Sequence, residues 1–201
     1  MALVKFYKRK EKPLSQLEEQ VGKAIIEVEK ASAENKALLK GLLVDNVKEI
    51  ETTFQGKKSK NILLITVPFV CSKAMGIANK TLIAQLERKL GAYVCFSARR
   101  TIQSKWIKTH KSQMRPRSRT LTQVHEATLD DLIQPSVVLA KSIRCKLDGS
   151  KLYKVTLDQV DQASLEHKLH AITQLYKHLC QKEVVFTFAE DKQFYTLPNF
   201  K

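Results

Sequence analysis

The sequence predicts an α+β fold: a mixed or antiparallel sheet of hairpins packed by amphipathic helices, with one long basic loop. Three observations lead there. Two segments repeat apolar residues at steps of three and four, the spacing of one helix face. Several short β-branched runs are bounded by turn residues, the pattern of strands. Between residues 99 and 119 apolar periodicity vanishes while arginine and lysine accumulate.

The first helix is predicted at about 15–32. Ser15-Gln16-Leu17-Glu18 follows Pro13 with capping-box spacing, and Leu14, Leu17, Val21, Ile25 and Val28 mark its apolar side. A shorter helical turn is expected at 34–40. A strand at 43–53 and a buried strand at 61–67 (NILLITV), closed by Pro68, flank a basic turn at 55–60, so the pair reads as a hairpin with lysines at its tip. A helix follows at about 77–90, stopped by Gly91, and then a buried strand at 92–98. After the 99–119 loop, a helix is expected at 120–133. Strands at 137–147 and 151–157 flank Asp148-Gly149-Ser150, a hairpin turn in which both central residues are expected at positive φ. An amphipathic helix at 161–180, with Leu165, Leu169, Ile172, Leu175 and Leu179, and a strand at 183–188 complete the pattern. The tail, 189–201, has no periodicity, and no internal repeat is visible. With 201 residues the chain is expected to form one domain, 1–201.

Charge points to the partner. Lys and Arg number 35 against 20 Asp and Glu, a net charge of +15. Residues 1–51 contribute +1 and residues 126–201 nothing; residues 52–125 hold fifteen basic groups and one acid, Glu87. Such an acid-poor segment matches a polyanion, nucleic acid before membrane. Its candidate contacts are Arg99, Arg100, Lys105, Lys108, Lys111, Arg115, Arg117 and Arg119 in the loop, and Lys57, Lys58 and Lys60 in the lysine turn. Trp106 either stacks on an unpaired base, a mode common in RNA recognition, or packs on the protein's own surface.

Other chemistries lack their motifs. The chain has no GxxxxGK[ST], GxGxxG, HExxH or GxSxG, so no enzyme, small-molecule substrate or cofactor is expected. His167, His170 and His178 could line one helix side, but no cysteine pattern completes a metal site. Asp130-Asp131 reads as an exposed helix face. Cys71, Cys95, Cys145 and Cys180 form no CxxC pair and read as small buried thiols in a reducing compartment. No signal-peptide pattern is visible, and no apolar run approaches the ~20 residues that cross a bilayer, which implies a soluble cytosolic or nuclear protein without membrane partners.

The motifs are specific enough to suggest a family. Arg115-Pro116-Arg117-Ser118-Arg119-Thr120-Leu121-Thr122, then Val124-His125, Leu129, Asp131-Leu132 and Pro135-Ser136, resembles the signature of the seventh family in the eukaryote-type small-subunit ribosomal protein series. Ile143-Arg144, Lys146-Leu147-Asp148-Gly149-Ser150, Lys154-Val155 and Leu157-Asp158 continue it in register. Leu17-Glu18, Ile25-Ile26-Glu27-Val28-Glu29, Lys48-Glu49-Ile50-Glu51, Arg99-Arg100-Thr101-Ile102, Glu166-His167-Lys168 and Tyr176-Lys177 extend it over about 14–188. The resemblance implies an α+β fold and a place on the platform side of the small subunit. It also implies contacts with small-subunit ribosomal RNA and neighbouring ribosomal proteins, and a part in subunit assembly. Arg115, Arg117 and Arg119 carry over as RNA contacts. The chain departs from the family pattern at 103–113, which is less basic and holds Trp106-Ile107, and at Ala140-Lys141, where the family tends to have glycine-lysine. The implied residence is the cytoplasmic ribosome, with nucleolar passage during assembly. A free-standing RNA-processing factor and a basic protein–protein adaptor are the alternative readings.

Overall fold

The computed structural model describes residues 5–7, 14–31, 36, 39, 41–54, 57–109 and 114–189, and at 54, 57–58, 73–81 and 108–109 the backbone alone. The expected turn at 34–40 and the tail from 190 lie largely outside the described residues.

Helix α1, Gln16–Ala31, starts as its capping box dictates. The buried Glu18 carboxylate accepts the Ser15 backbone N–H at 2.9 Å, and Glu19 N–H donates to the Ser15 carbonyl at 3.0 Å. Strand β1, Asn46–Ile50, runs antiparallel to β4, Ile62–Pro68. Between them Thr53–Phe54 (β2) and Lys57–Lys58 (β3) form a two-rung extension, so the expected lysine-tipped hairpin is present. The extension turns off the main ladder at Thr52, whose hydroxyl donates to the Lys60 carbonyl at 2.7 Å.

A 3-10 turn, Phe69–Cys71, leads into α2, Ser72–Leu90, which therefore begins five residues before the periodic apolar pattern does. Gly91 ends it at φ +65°, where a Cβ would be strained, and donates its N–H to the Glu87 carbonyl. Strand β5, Tyr93–Arg99, then pairs parallel with β4, giving the order β1-β4-β5.

The second half repeats this plan without repeating the sequence: helix, antiparallel hairpin, helix, parallel third strand. Helix α3 is Leu121–Ile133, the hairpin is β6, Val138–Cys145, and β7, Lys151–Leu157, and β8, Glu183–Phe188, runs parallel to β7. Of the hairpin turn's two central residues only Gly149 has positive φ, +77°. Lys146 N–H donates to Ser150 O at 2.9 Å and Gly149 N–H to Lys146 O at 3.0 Å. This closes a three-residue loop, which needs one left-handed residue where a two-residue loop needs two.

The helix expected at 161–180 is broken. A short helix, Gln162–Leu165, and a 3-10 turn, Glu166–Lys168, precede α4, Leu169–Cys180. The break sits where tertiary partners claim the chain. Tyr93 Oη donates to the His167 carbonyl at 3.2 Å, and the buried Lys168 ammonium pairs with Glu87 at 3.3 Å. Glu87, the lone acid of the basic segment, also accepts the Val94 N–H.

Strands β4 and β5 have both faces buried, which is why they read as continuous apolar runs. Leu63, Ile65, Val67, Val94 and Phe96 face a core with α1 and α2. Ile62, Leu64 and Cys95 face a second core with Leu132 and Ile133 of α3, Ile172, Leu175 and Tyr176 of α4, and Val155, Leu157 and Val184 of the second sheet. Tyr176 donates to the His125 carbonyl at 3.3 Å, tying α4 to α3. Among the four cysteines Cys71 and Cys95 are buried and Cys180 is half-buried, but Cys145 is exposed because it faces no core. Burial pushes the Cys95 thiol up to about 12.

Because one sheet serves both cores, unfolding of either half removes half the burial of β4. Leu64→Ala and Leu63→Ala face opposite cores, and each is expected to lower stability by ~2–5 kcal/mol. In denaturant titrations followed by fluorescence and circular dichroism, both variants should retain one coincident transition; separate transitions would show that the halves unfold independently.

Candidate nucleic-acid interface

The basic residues do not converge on one surface. β4 and β5 are parallel and in register from Ile62↔Tyr93 to Pro68↔Arg99. The lysine turn precedes β4, and the 99–119 loop leaves the far end of β5. A seven-residue strand separates those ends by roughly 20 Å. Lys57, Lys58 and Lys60 thus form one cluster and the loop another.

The lysine turn leans on α4. Ser59 Oγ and His170 Nε2 are 2.9 Å apart, and Thr53 N–H donates to Gln174 Oε1 at 2.9 Å. Burial lowers His170 below the ordinary imidazole range, so at neutral pH its ring is uncharged and adds nothing to the local positive charge. Lys60 is exposed. His167 and His170 flank the Tyr93 ring at 5.8 and 5.9 Å, and among the described residues no three His, Cys, Asp or Glu side chains lie close enough to hold a metal ion.

At the loop, the two leading arginines are already engaged. Arg99, largely exposed, pairs with Asp45 at 3.0 Å. Arg100 grips Asp131 with both guanidinium nitrogens, one bond measuring 3.0 Å, and its side chain is only 15% exposed. Asp131 is buried rather than on an exposed helix face, and it also accepts the Ala98 N–H at 2.9 Å. A carboxylate this deep requires several donors, and Arg100 with the β5 backbone supplies them. The Arg100 guanidinium lies 5.9 Å from the Phe69 ring centroid as well. Acids from outside the acid-poor segment thus neutralise the cations nearest the sheet.

Beyond Arg100 the loop has local order that the sequence pattern does not announce. Lys105–Thr109 and Arg117–Arg119 are 3-10 turns. Gln103 N–H donates to the Arg119 carbonyl at 3.0 Å, so the loop closes on itself before α3 begins. Thr120 Oγ1 donates to the Arg117 carbonyl at 2.7 Å, which fixes the second turn. Lys105, Arg117 and Arg119 are exposed at this closed neck, and no described acid pairs with them. Arg115 is half-buried, and its Nε has no hydrogen-bond partner among the described residues. Trp106 is 77% exposed, so most of its ring surface faces solvent. Lys108 has only its backbone described, and Lys111 lies outside the described residues. The apolar pattern alone did not single out Phe69 and Val70, exposed at the same end of the sheet; the available signal was Pro68, which ends β4 and puts both beyond it.

The geometry therefore supplies exposed cations, unpaired with acid, around a closed loop with exposed apolar surface at Phe69, Val70, Ile102, Trp106 and Met114. Such an arrangement can neutralise phosphates and offer stacking surfaces, and no cluster that could hold a metal ion is found among the described residues.

Known proteins give this arrangement a context. A family model described as Ribosomal protein S7e matches residues 5–188. Small ribosomal subunit protein eS7 of Anopheles gambiae is 40% identical over 178 residues, covering 87% of this chain and 90% of that one. The Caenorhabditis elegans protein of that name is 38% identical over 191 residues, covering 92% and 95%. Small ribosomal subunit protein eS7z of Arabidopsis thaliana is 36% identical over 186 residues, covering 92% and 94%.

Two roles for arginine separate experimentally. Arg100→Ala leaves Asp131 buried without its partner and is expected to cost ~3–5 kcal/mol in denaturant melts. Arg117→Ala/Arg119→Ala removes two exposed side chains and should change stability by no more than about 0.5 kcal/mol per site.

Proposed function

Since this chain belongs to the ribosomal protein S7e family, we propose that it binds small-subunit ribosomal RNA through its closed basic loop while serving, without catalysis, as a structural part of the small ribosomal subunit. Lys105, Arg115, Arg117 and Arg119 carry the phosphate contacts, with Lys108 and Lys111 beside them. Trp106 and the exposed Phe69 offer surfaces for unpaired bases. Lys57, Lys58 and Lys60 make a separate contact at the other end of the sheet. Arg99 contributes part of its fork beyond Asp45, and Arg100 holds the loop's base on α3 rather than reaching the RNA. The partners are small-subunit ribosomal RNA and neighbouring ribosomal proteins; the protein supports subunit assembly, passes through the nucleolus and works on the cytoplasmic ribosome.

One observation carries this reading: the loop presents Arg117 and Arg119 on an ordered, exposed 3-10 turn with no described acid beside them. Among the described residues no acid occupies those guanidinium groups, and a cluster of exposed cations of this kind is neutralised by phosphates more readily than by a neutral protein surface. No helix among the described residues is long and apolar enough to cross a membrane.

The tagged protein should sediment with small subunits in a sucrose gradient and leave those fractions after RNase treatment. The purified protein's affinity for small-subunit ribosomal RNA should fall with salt by a log–log slope of several units, as ~5–8 phosphate contacts require. Arg117→Ala/Arg119→Ala should lower incorporation and reduce that slope by about 1.5–2. Retention of all partners after RNase would favour a protein–protein adaptor instead.

A further inference from the structure

The near-neutral C-terminal third hides a second charge segregation. Residues 138–154 hold five cations, Lys141, Arg144, Lys146, Lys151 and Lys154, against one acid, Asp148. The rest of 126–201 therefore carries five cations and nine acids. The basic part coincides with the β6–β7 hairpin. Every residue from Leu139 to Lys151 is exposed, along β6 and around the turn, whereas β7 from Leu152 on is paired with β8 and partly buried, so only the end of the hairpin projects beyond the second core as an arm. The strand register distributes its charge over both faces. Lys151 lies opposite Cys145 and shares a face with Lys141, while Arg144, Lys146 and Lys154 share the other. Lys141 pairs with Asp130 at 2.7 Å at the arm's base; Lys146 acts on the Glu183 carboxylate through space without a direct contact, and no described acid forms a salt bridge with Arg144, Lys146, Lys151 or Lys154. The tip, Leu147, is fully exposed.

We propose that the β6–β7 hairpin is a second RNA-binding element, an arm that inserts between phosphate backbones of folded ribosomal RNA and is contacted on both faces. This rests on the RNA reading of the loop but uses none of the loop's residues. A flat protein neighbour would be met by one face of the ribbon and would leave cations on the other unsatisfied. Two backbones flanking the ribbon neutralise both. The exposed Ile143 and Leu147 then pack against sugars or bases inside that cleft.

The test uses the full-length protein and protein-free small-subunit ribosomal RNA. Arg144→Ala/Lys146→Ala/Lys151→Ala should retain the wild-type circular dichroism spectrum and reduce the salt slope of binding by ~2–3. Independently, an iron chelate tethered at the exposed Cys145 should cleave the RNA backbone locally, and the Cys145→Ser protein treated identically should give only background; this reading holds even if the triple variant folds poorly. Arg117→Ala/Arg119→Ala runs in parallel. If only that loop variant loses slope and Cys145 directs no cleavage, the arm proposal fails while the loop reading stands. If the hairpin variant loses slope and the loop variant does not, the loop reading fails and the arm stands. A wild-type slope near zero overturns both. Loss of a neighbouring subunit protein by the hairpin variant, with slope and cleavage pattern unchanged from controls, would make the arm a protein contact and overturn the proposal.

Discussion

Strand β4 is buried on both faces and paired along both edges, antiparallel to β1 and parallel to β5. Successive side chains point to opposite cores, so a one-residue slip would exchange Ile62 and Leu64 with Leu63 and Ile65 and reverse which side each core receives. That register decides where every other element can sit. Helices α1 and α2 cover one face; α3, α4 and the second sheet cover the other. With neither of their faces free, β4 and β5 have almost no surface on which to display charge. The sheet's cations are displaced to what leaves its two ends, the lysine turn and the long loop.

Electrostatics follows from that geometry. A segment with fifteen cations and one acid cannot fold by pairing with itself, and the fold solves this with acids from elsewhere: Glu27 for Lys89, Asp45 for Arg99 and Asp131 for Arg100. Its own Glu87 is taken inward by Lys168. Cations close to the sheet are thereby made structural, and those farther out remain available. The Arg100–Asp131 fork is the hinge point of this division, because it joins the end of β5 to α3 and so fixes both ends of the loop between them.

The second half places the same helix–hairpin–helix–strand plan in a different setting. Its sheet has one covered side, and its hairpin outruns the core. In the first half the main ladder of the corresponding hairpin ends at Ile50 and Ile62, and the chain bends away at Thr52. The same topology thus yields two buried strands, β4 and β5, in one half and a hairpin with an exposed end in the other.

Local rules read from the sequence held where one residue type answers to one short-range need. The capping box at Ser15 and Glu18, the Gly91 stop, the Pro68 strand end, the Asp148-Gly149 hairpin and the double-sided strands 61–67 and 92–98 are all settled within a few residues, by backbone geometry or apolar period. The acid-poor stretch and the Arg-Pro-Arg-Ser-Arg run likewise marked the loop. What depended on distant partners was not legible there. The break before α4 arises from Tyr93 and Glu87, more than seventy residues upstream. Asp131 looked solvated because nothing in α3 announces Arg100, and Arg100 looked like its neighbours in a basic run. Cys145 looked like a core thiol because strand length does not say where a core ends. Sequence alone determined which segments form helices and strands and where positive charge accumulates, since those are sums over neighbours in the chain. Tertiary structure alone decided which cations are consumed by buried carboxylates and which stay exposed, because ion pairing depends on proximity in space, and only the packed sheet brings Asp45 and Asp131 to Arg99 and Arg100.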